Sequence, residues 1–212
     1  MTDRSAAARI AVLDYGIGNL RSAERALAHV GAAAALVTDP HDVEGADGVV
    51  LPGVGAFGPC ARALEASGLA AAALAAIDAG VPFLGICVGF QLLYERSEES
   101  PGTPGLGVLG GHVRRLAGGV KVPQMQWNVV ERRGGSGLLA GIGDRPWVYF
   151  VHSYSPEVGG ATVATCDYGG EVAAAAEDGA VWGTQFHPEK SGATGLRILA
   201  NFVARCGARG RG

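Results

Sequence analysis

The sequence predicts an α/β domain with a mostly parallel central sheet, flanking helices and β-rich additions in its C-terminal half. In the first half, short apolar segments alternate with longer helix-like segments, the pattern of a parallel sheet covered on both faces. After about residue 105, short apolar segments follow one another between Gly-rich turns. A length of 212 residues is enough for one sizeable core, so we expect residues 1–212 to form a single domain, with a frayed tail over about 207–212.

The first half is predicted to supply buried strands with helices between them. Each strand candidate is a short apolar run: Arg9–Leu13, Ala33–Val37, Gly48–Leu51 and Val81–Ile86. Asn19 follows the Gly-containing turn after the first strand and can cap a helix that runs to about Val30. An Ala-rich helix is expected over Cys60–Ala79, with an interruption at Gly68.

The second half is predicted to add short strands and one closing helix. The strand candidates lie between Gly-rich turns: Val113–Leu116, Trp127–Arg132, Trp147–Val151, Ala161–Cys166, Val172–Ala176 and Ala180–Gln185. The helix over about Ala193–Cys206 is expected to pack back on the sheet.

Composition narrows the function classes. A net charge of −3 gives no indication of a nucleic-acid or anionic-membrane partner. The four cysteines form no C-x-x-C pair, which fits free thiols in a reducing compartment. The N-terminus does not resemble a signal peptide and the longest Ala/Leu run, Leu69–Ile77, is too short to span a bilayer, so we expect a cytoplasmic protein. His29, His41 and His112 have no partners at metal-ligand spacing, and no metal site is predicted.

The most informative segment is Gly85-Ile86-Cys87-Val88-Gly89, between an apolar strand candidate and a helix-like segment, Phe90–Glu95. A strand, a sharp turn and a helix around one nucleophile form a nucleophile elbow, here with Cys87 in the central position. The glycines allow strand and helix to approach closely, and a helix N-terminus favours a thiolate. The pentapeptide alone is equally compatible with a buried cysteine in a Gly-rich turn.

A second segment, His187-Pro188-Glu189, contains the groups that a thiol nucleophile requires. The thiol needs a base, and the base needs an orienting partner. In an extended segment, side chains two residues apart leave on the same face, so Glu189 can orient His187. By itself this tripeptide is also compatible with a solvated strand end.

Together, Cys87 in its elbow and His187-Pro188-Glu189 resemble the class I (triad) glutamine amidotransferases. Four further segments are similar to the glutaminase subunits of imidazole glycerol phosphate synthase, an enzyme of histidine biosynthesis: Asp14–Leu20, Pro52–Phe57, Trp127-Asn128 and Phe150–Tyr154. The resemblance implies the class I amidotransferase fold and hydrolysis of glutamine to glutamate and ammonia without a cofactor. It also implies a (β/α)8-barrel cyclase partner that uses the ammonia to make imidazole glycerol phosphate and aminoimidazole carboxamide ribotide.

The remaining binding residues are predicted partly from the residues and partly from this resemblance. The Gly-rich loop Gly53-Val54-Gly55 can point backbone N–H groups at a neighbouring site and, with the Val88 N–H, form an oxyanion hole, although an ordinary loop is the alternative. The resemblance implies that Gln91 and Glu99 bind the α-amino and α-carboxylate groups of glutamine. Glu98 is the adjacent alternative to Glu99. Ser153 and Tyr154 resemble the strand whose backbone pairs with the main-chain end of glutamine.

The segment Pro123–Asn128 is predicted to meet the cyclase, with Met125, Trp127 and Asn128 in the contact and Trp127 as its anchor. A core position for Trp127 is the alternative. The family usually has Pro-His-Met-Gly-Trp-Asn here, whereas this chain has Gln124 and Gln126. We expect these two glutamines to make polar contacts at the rim of the interface.

Three other functions are considered. An amidotransferase subunit of anthranilate, aminodeoxychorismate or pyridoxal phosphate synthesis would share the triad, but the Asp14–Asn19 segment argues against it. Intact Cys87, His187 and Glu189 argue against a catalytically dead regulatory homologue. A dienelactone-type cysteine hydrolase would need an Asp before the His in chain order. The G-x-G-x-x-G match at Gly105–Gly110 opens no long helix, so a dinucleotide site is not predicted.

Overall fold

A computed structural model describes residues 7–117 and 119–209. The strands, in chain order, are β1 (Arg9–Leu13), β2 (Ala33–Val37), β3 (Gly48–Gly53), β4 (Phe83–Cys87), β5 (Tyr94–Ser97), β6 (Leu109–Arg115), β7 (Gln124–Val129), β8 (Glu131–Arg132), β9 (Trp147–His152), β10 (Tyr154–Pro156), β11 (Thr162–Asp167), β12 (Glu171–Asp178) and β13 (Val181–Thr184). The helices are α1 (Leu20–His29), α2 (Phe57–Ala66), α3 (Leu69–Asp78), α4 (Val88–Gln91) and α5 (Gly192–Arg209), with short 3₁₀ turns at Pro40–Val43 and Pro188–Lys190.

The central sheet has eight strands in the order β2-β1-β3-β4-β13-β12-β11-β8. Pairing is parallel from β2 to β13 and antiparallel from β13 to β8, which confirms the predicted mostly parallel sheet with β-rich additions. Every residue of β3, β4 and β13 is buried, as expected for the middle of a parallel sheet. The active-site candidates sit at the carboxyl ends of these three strands.

The edge of the sheet differs from the prediction. The segment Ala33–Val37 forms β2, but most of its residues are at least partly exposed because, among the described residues, this strand pairs only with β1. Its apolar composition is therefore not a sign of burial on both faces.

At the start of α1, Asn19 makes no side-chain hydrogen bond to the helix backbone, contrary to the predicted cap. Its Oδ1 accepts a hydrogen bond from Ser22 Oγ instead, at 2.9 Å.

The helix after Cys87 is much shorter than predicted. The segment Phe90–Glu95 is not one helix: α4 ends at Gln91, and Tyr94 begins strand β5. Tyr94 is buried, pairs with Leu109 of β6 and packs edge-on against Phe90 with ring centroids 5.4 Å apart. Strand pairing and burial of this aromatic ring therefore override the local helical pattern. A three-stranded sheet has the order β10-β6-β5. Neither β5 nor the short β10 was predicted from the sequence.

The Ala-rich helical segment is interrupted where predicted, because Gly68 has a φ of 75° between α2 and α3. The closing helix α5 is longer than predicted and includes residues 207–209, so the tail expected to be frayed is helical over those residues. Residues 210–212 lie outside the described part.

Within residues 7–117 and 119–209 no single helix is long and apolar enough to cross a membrane. Helices α2 and α3 pass that test only jointly, with an 87° bend between them.

A separate two-stranded antiparallel sheet is formed by β7 and β9, which we call the β7–β9 hairpin sheet. Its register sets Met125 opposite Val151 and Trp127 opposite Tyr149 on one face. Three large apolar side chains of this sheet are exposed: Met125 (63%), Trp127 (47%) and Trp147 (57%). The other face contributes Phe150 and Val148 to the core.

Candidate active site

Cys87 occupies a strained turn between β4 and α4. Its φ of 56° is the one positive value at a non-glycine position in the described chain. The predicted elbow therefore forms, and steric contacts explain why glycines occupy positions 85 and 89. A Cβ on Gly89 would overlap the carbonyl group of Leu51, and one on Gly85 would come within 2.8–2.9 Å of the backbone of Gly89 and Phe90. Close approach of β3, β4 and α4 is thus possible only without side chains there.

His187 and Glu189 form a buried pair. His187 Nδ1 lies 2.7 Å from Glu189 Oε1, and the two side chains are 2% and 3% exposed. The expectation of an extended segment is wrong, because Pro188–Lys190 is a 3₁₀ turn. The pair still meets, since His187 precedes the turn with extended φ and ψ and Glu189 folds back toward it.

Backbone contacts fix the position of the imidazole. The His187 N–H donates to the Tyr149 carbonyl at 3.0 Å, and the His187 carbonyl accepts from Ser191 Oγ at 2.6 Å. Ser191 Oγ in turn accepts the Tyr149 N–H at 3.0 Å. His187 is thereby tied to β9, and its buried Nε2 is left without a hydrogen-bond partner in the described structure.

The electrostatic surroundings favour a charged His187. Burial by itself lowers its pKa, but the adjacent Cys87 sulfur and the Glu189 carboxylate outweigh this effect and raise the pKa to about 10. With Nδ1–H held by Glu189, the orphaned Nε2 is the nitrogen that is free to take a proton from the thiol.

A cavity of about 250 Å³ opens at this pair. Cys87 and His187 line it together with Gln91, Glu99, Ser153 and Tyr154, so the structure brings the predicted triad base and nucleophile to the predicted substrate residues. Pro123, Val151 and His152 also line the cavity. Val151 and His152 belong to the Phe150–Tyr154 segment on which the resemblance rests, but no role was predicted for their side chains, and they reach the cavity from β9.

The two adjacent glutamates have different surroundings. One Glu99 oxygen accepts the N–H of Phe57, the first residue of α2, at 2.7 Å, and the side chain lines the cavity. Glu98 instead bonds Arg114 at 2.8 Å and the Arg115 N–H at 3.0 Å on the outside of the molecule. The geometry therefore favours Glu99 over Glu98 as a substrate-binding residue.

Gln91 is the last residue of α4 and is buried. Its Nε2 donates to the Tyr154 carbonyl at 2.8 Å and to Gln185 Oε1 at 3.1 Å. Both hydrogens of its amide nitrogen are thus used within the protein. Oε1 is the remaining polar atom of Gln91 for a ligand in the cavity.

The oxyanion candidates surround Cys87 from β3 and α4. Gly53 pairs directly with Cys87, and Val54 and Val88 line the cavity. A Cβ on Gly53 would come within 2.7 Å of the Gly89 nitrogen and 2.9 Å of the Tyr15 hydroxyl oxygen. Gly55 has a φ of 87°, and the Val54 carbonyl accepts a hydrogen bond from Cys60 Sγ at 3.2 Å. The role of these N–H groups in holding an oxyanion stays a prediction.

Gln124 is not at an interface rim, contrary to the prediction. It is fully buried, because the alternation of β7 places it opposite His152, whose Nε2 lies 2.8 Å from Gln124 Oε1. His152 Nδ1 lies 2.8 Å from the Tyr154 carbonyl oxygen. Burial is the main reason that the pKa of His152 falls to about 4, and the hydrogen bond to Tyr154 opposes that fall.

The residues predicted to meet a partner lie on the β7–β9 hairpin sheet. Met125 and Trp127 are exposed on one face, so the alternative of a core position for Trp127 is wrong. Gln126 is also exposed. Asn128 is partly buried, and its Nδ2 donates to the Asp167 carbonyl at 2.9 Å, which ties β7 to the end of β11.

The remaining cysteines are buried free thiols, as predicted: Cys60, Cys166 and Cys206. In the part of the chain that the structure describes, no group of three or more His, Cys, Asp or Glu side chains is placed to hold a metal ion.

A family model described as "Glutamine amidotransferase class-I" matches residues 11–206, which include the elbow and the His187–Glu189 pair. The chain belongs to the class-I glutamine amidotransferase family. The resemblance deduced from the motifs is therefore confirmed, and so is the predicted fold.

Curated relatives narrow the subfamily. The chain is 50% identical to the imidazole glycerol phosphate synthase subunit HisH of Methanothermobacter thermautotrophicus, over 92% of this chain and 97% of the relative. It is 48% identical to the subunit of the same name from Deinococcus radiodurans, over 93% and 94%. Among solved structures, PurLQS from Thermotoga maritima shares the fold with a TM-score of 0.74, at 22% identity over 93% of this chain and 98% of that one.

Proposed function

We propose that this chain is the glutamine-hydrolysing subunit of an imidazole glycerol phosphate synthase and uses Cys87, His187 and Glu189 as its catalytic triad. The observation that carries the proposal is the meeting of a strained, buried cysteine with a buried His–Glu pair at one cavity. The HisH relatives, about half identical over more than nine-tenths of the chain, support the pathway.

The chemistry follows from the positions of these groups. His187 Nε2 takes the thiol proton, and the Cys87 thiolate attacks the side-chain amide carbon of glutamine, pushing an electron pair onto the carbonyl oxygen. When this tetrahedral species collapses, the C–N bond breaks and His187 returns the proton to the leaving nitrogen, which departs as ammonia. A glutamyl thioester remains on Cys87.

The second half regenerates the enzyme. Water gives a proton to His187 as its oxygen attacks the thioester, and the Cys87 sulfur leaves with the electron pair of the C–S bond to give glutamate. Glu189 keeps Nδ1 protonated throughout and stabilises the imidazolium, and the pKa of His187 is raised first by the Cys87 sulfur and second by this carboxylate.

Substrate contacts come from the walls of the cavity. Glu99 is suited to the ammonium group of glutamine because a carboxylate faces the cavity there, and Gln91 Oε1 is a second acceptor. The backbone of Ser153 and Tyr154 borders the same space. Gly53, Val54 and Val88 surround the position of the developing oxyanion, which backbone N–H groups would stabilise by about 3 kcal/mol per donor.

The ammonia acceptor is proposed to be a (β/α)8-barrel cyclase that docks on the β7–β9 hairpin sheet. Met125 and Trp127 form an exposed apolar face beside Val151, which lines the cavity. An exposed aromatic beside a methionine is the composition of an interface centre.

We also infer that the protein is cytoplasmic and that residues 1–212 form a single domain.

Cys87→Ala tests the nucleophile in the complex of this chain with its cyclase subunit. We expect glutamine-dependent synthesis to disappear while synthesis supplied with ammonium salt continues at the wild-type rate. Substantial glutamine turnover by this variant would contradict the assignment. Loss of both activities would instead indicate a failure of assembly, which size-exclusion chromatography of the complex distinguishes.

A further inference from the structure

We infer that Gln185 is a catalytic residue that donates an amide N–H to the Cys87 sulfur and stabilises it as a thiolate. This inference rests on the proposed function of Cys87. Gln185 follows β13, two residues before His187, and is fully buried. Its Nε2 lies 3.8 Å from Cys87 Sγ, within the reach of a hydrogen bond to sulfur.

The orientation of the Gln185 amide follows from a chain of contacts that begins at a backbone carbonyl. The Tyr154 carbonyl can only accept, so the Gln91 group 2.8 Å away must be its nitrogen. The same nitrogen lies 3.1 Å from the Gln185 side chain, which must therefore present its oxygen to Gln91. The Gln185 nitrogen is then left on the side of Cys87, where it can only donate.

The sulfur has a different partner in each protonation state. Cys87 Sγ lies 3.9 Å from the Val151 carbonyl, which can accept from a neutral S–H. A thiolate has no hydrogen to donate and gains instead from an N–H directed at it, which is what Gln185 offers. Because Cys87 is buried, little water competes for its sulfur. The hydrogen bond from the Gln185 amide to the sulfur is therefore stronger than it would be in water.

The alternative is that Gln185 only fills space and satisfies Gln91. A pH profile separates the two, because a structural role does not change the thiol–thiolate balance. Several titratable groups lie near Cys87, and the proposed substitutions leave all of them in place: His187 with its partner Glu189, Glu99, His152, Tyr154, Tyr15 and Cys60.

The experiment measures the rate of Cys87 alkylation by iodoacetamide from pH 5 to 9.5, with peptide mapping to separate Cys87 from the other cysteines. Gln185→Met keeps the length of the side chain and removes the N–H. We expect the midpoint of its alkylation profile to move up by about one pH unit, and kcat for glutamine in the cyclase complex at pH 7 to fall about tenfold with little change in KM.

Thr184→Val is the matched control, since Thr184 is the buried neighbour in the chain and its Oγ1 makes no hydrogen bond in the described structure. Its alkylation profile should coincide with that of the wild type. A Gln185→Met profile that also coincides with the wild type would overturn the inference, while an inactive Cys87→Ala variant would leave the proposed function intact. A Cys87→Ala variant that still hydrolyses glutamine would overturn the proposed function itself.

A second measurement needs no substitution and decides the matter if Gln185→Met does not fold. The side-chain amide protons of Gln185 in the wild-type chain, assigned by NMR through its own backbone, should shift with the same pH midpoint as Cys87 alkylation. Amide resonances that stay constant through that midpoint would overturn the inference.

Discussion

Two regions border the cavity that Cys87 and His187 line, and they are built in opposite ways. The elbow consists of β3, β4 and α4, where nearly every residue is buried and glycines allow backbones to touch. The β7–β9 hairpin sheet has only two strands, and its outer face exposes Met125, Trp127 and Trp147. The elbow is therefore expected to be rigid and intolerant of added atoms, and the hairpin sheet to depend on a partner.

The buried pair His187–Glu189 connects these regions. It follows β13, the neighbour of β4 in the central sheet, and its backbone bonds to Tyr149 of β9. A change in the hairpin sheet can therefore reach His187 through the 3.0 Å hydrogen bond between the His187 N–H and the Tyr149 carbonyl, and through Ser191, whose Oγ bonds both residues. Differences in tolerance between the two regions can be tested directly.

The largest effect is expected from Gly89→Ala in the elbow. A Cβ there would overlap the Leu51 carbonyl, a backbone group of the central strand β3 that cannot move without disrupting the sheet. We expect a loss of more than about 4 kcal/mol in the free energy of unfolding, measured by urea denaturation. Gly110→Ala is the control, because its Cβ would have open space, and its change should stay within about 1 kcal/mol. Equal stability of the two variants would show that the elbow is not rigid.

Glu189→Gln should leave the fold intact and remove most of the activity. The amide of Gln can donate to Nδ1, which places the hydrogen on Nε2 and prevents that nitrogen from taking the thiol proton. We expect kcat for glutamine in the cyclase complex to fall about 10³–10⁴-fold while ammonia-dependent synthesis is retained. A fall of less than tenfold would mean that Glu189 does not orient the base.

Trp127→Ala addresses the hairpin sheet. Because the ring is 47% exposed, its removal should change the free energy of unfolding of the isolated chain by less than about 1 kcal/mol. The dissociation constant of the cyclase complex should rise about 30-fold, measured by calorimetry. Trp147→Ala removes an exposed ring from the far end of the same sheet, opposite Val129, and should have a smaller effect on binding. A large stability loss with unchanged binding would contradict the interface role.

The same two regions show how far sequence reasoning reaches. The elbow was predictable because its requirements are local: glycines flank one cysteine at the end of an apolar strand. The four-residue length of α4 was not, since it depends on the pairing of Tyr94 with Leu109, fifteen residues away in sequence. The His187–Glu189 contact was predicted from spacing, although a 3₁₀ turn and not an extended segment produces it.

The hairpin sheet was harder to predict because the packing over one strand face changes along the strand. Gln124 and Gln126 lie two positions apart and so on the same face of β7, yet Gln124 is buried against His152 and Gln126 is exposed. Gln185 ends a predicted strand, Ala180–Gln185, but its role could not be predicted, since its contact with Cys87 joins residues 98 positions apart. Such contacts require the fold before they can be seen.

An effect of similar size is expected at His152, on the inner face of the hairpin sheet, where the imidazole is buried with a pKa of about 4, below its ordinary value of 6.5. The unfolded chain therefore binds more protons at this ring between pH 6.5 and 4, and acidification through that window favours unfolding. His152→Gln should remove this dependence: between pH 7.5 and 5, the wild type should lose about 2 kcal/mol more unfolding free energy than the variant. His29→Gln, at an exposed position of α1, is the control and should follow the wild type. Parallel curves for His152→Gln and the wild type would show that the surroundings of His152 admit water and a proton, and the contrast between the exposed face of Met125 and Trp127 and the sealed surroundings of His152 would be lost.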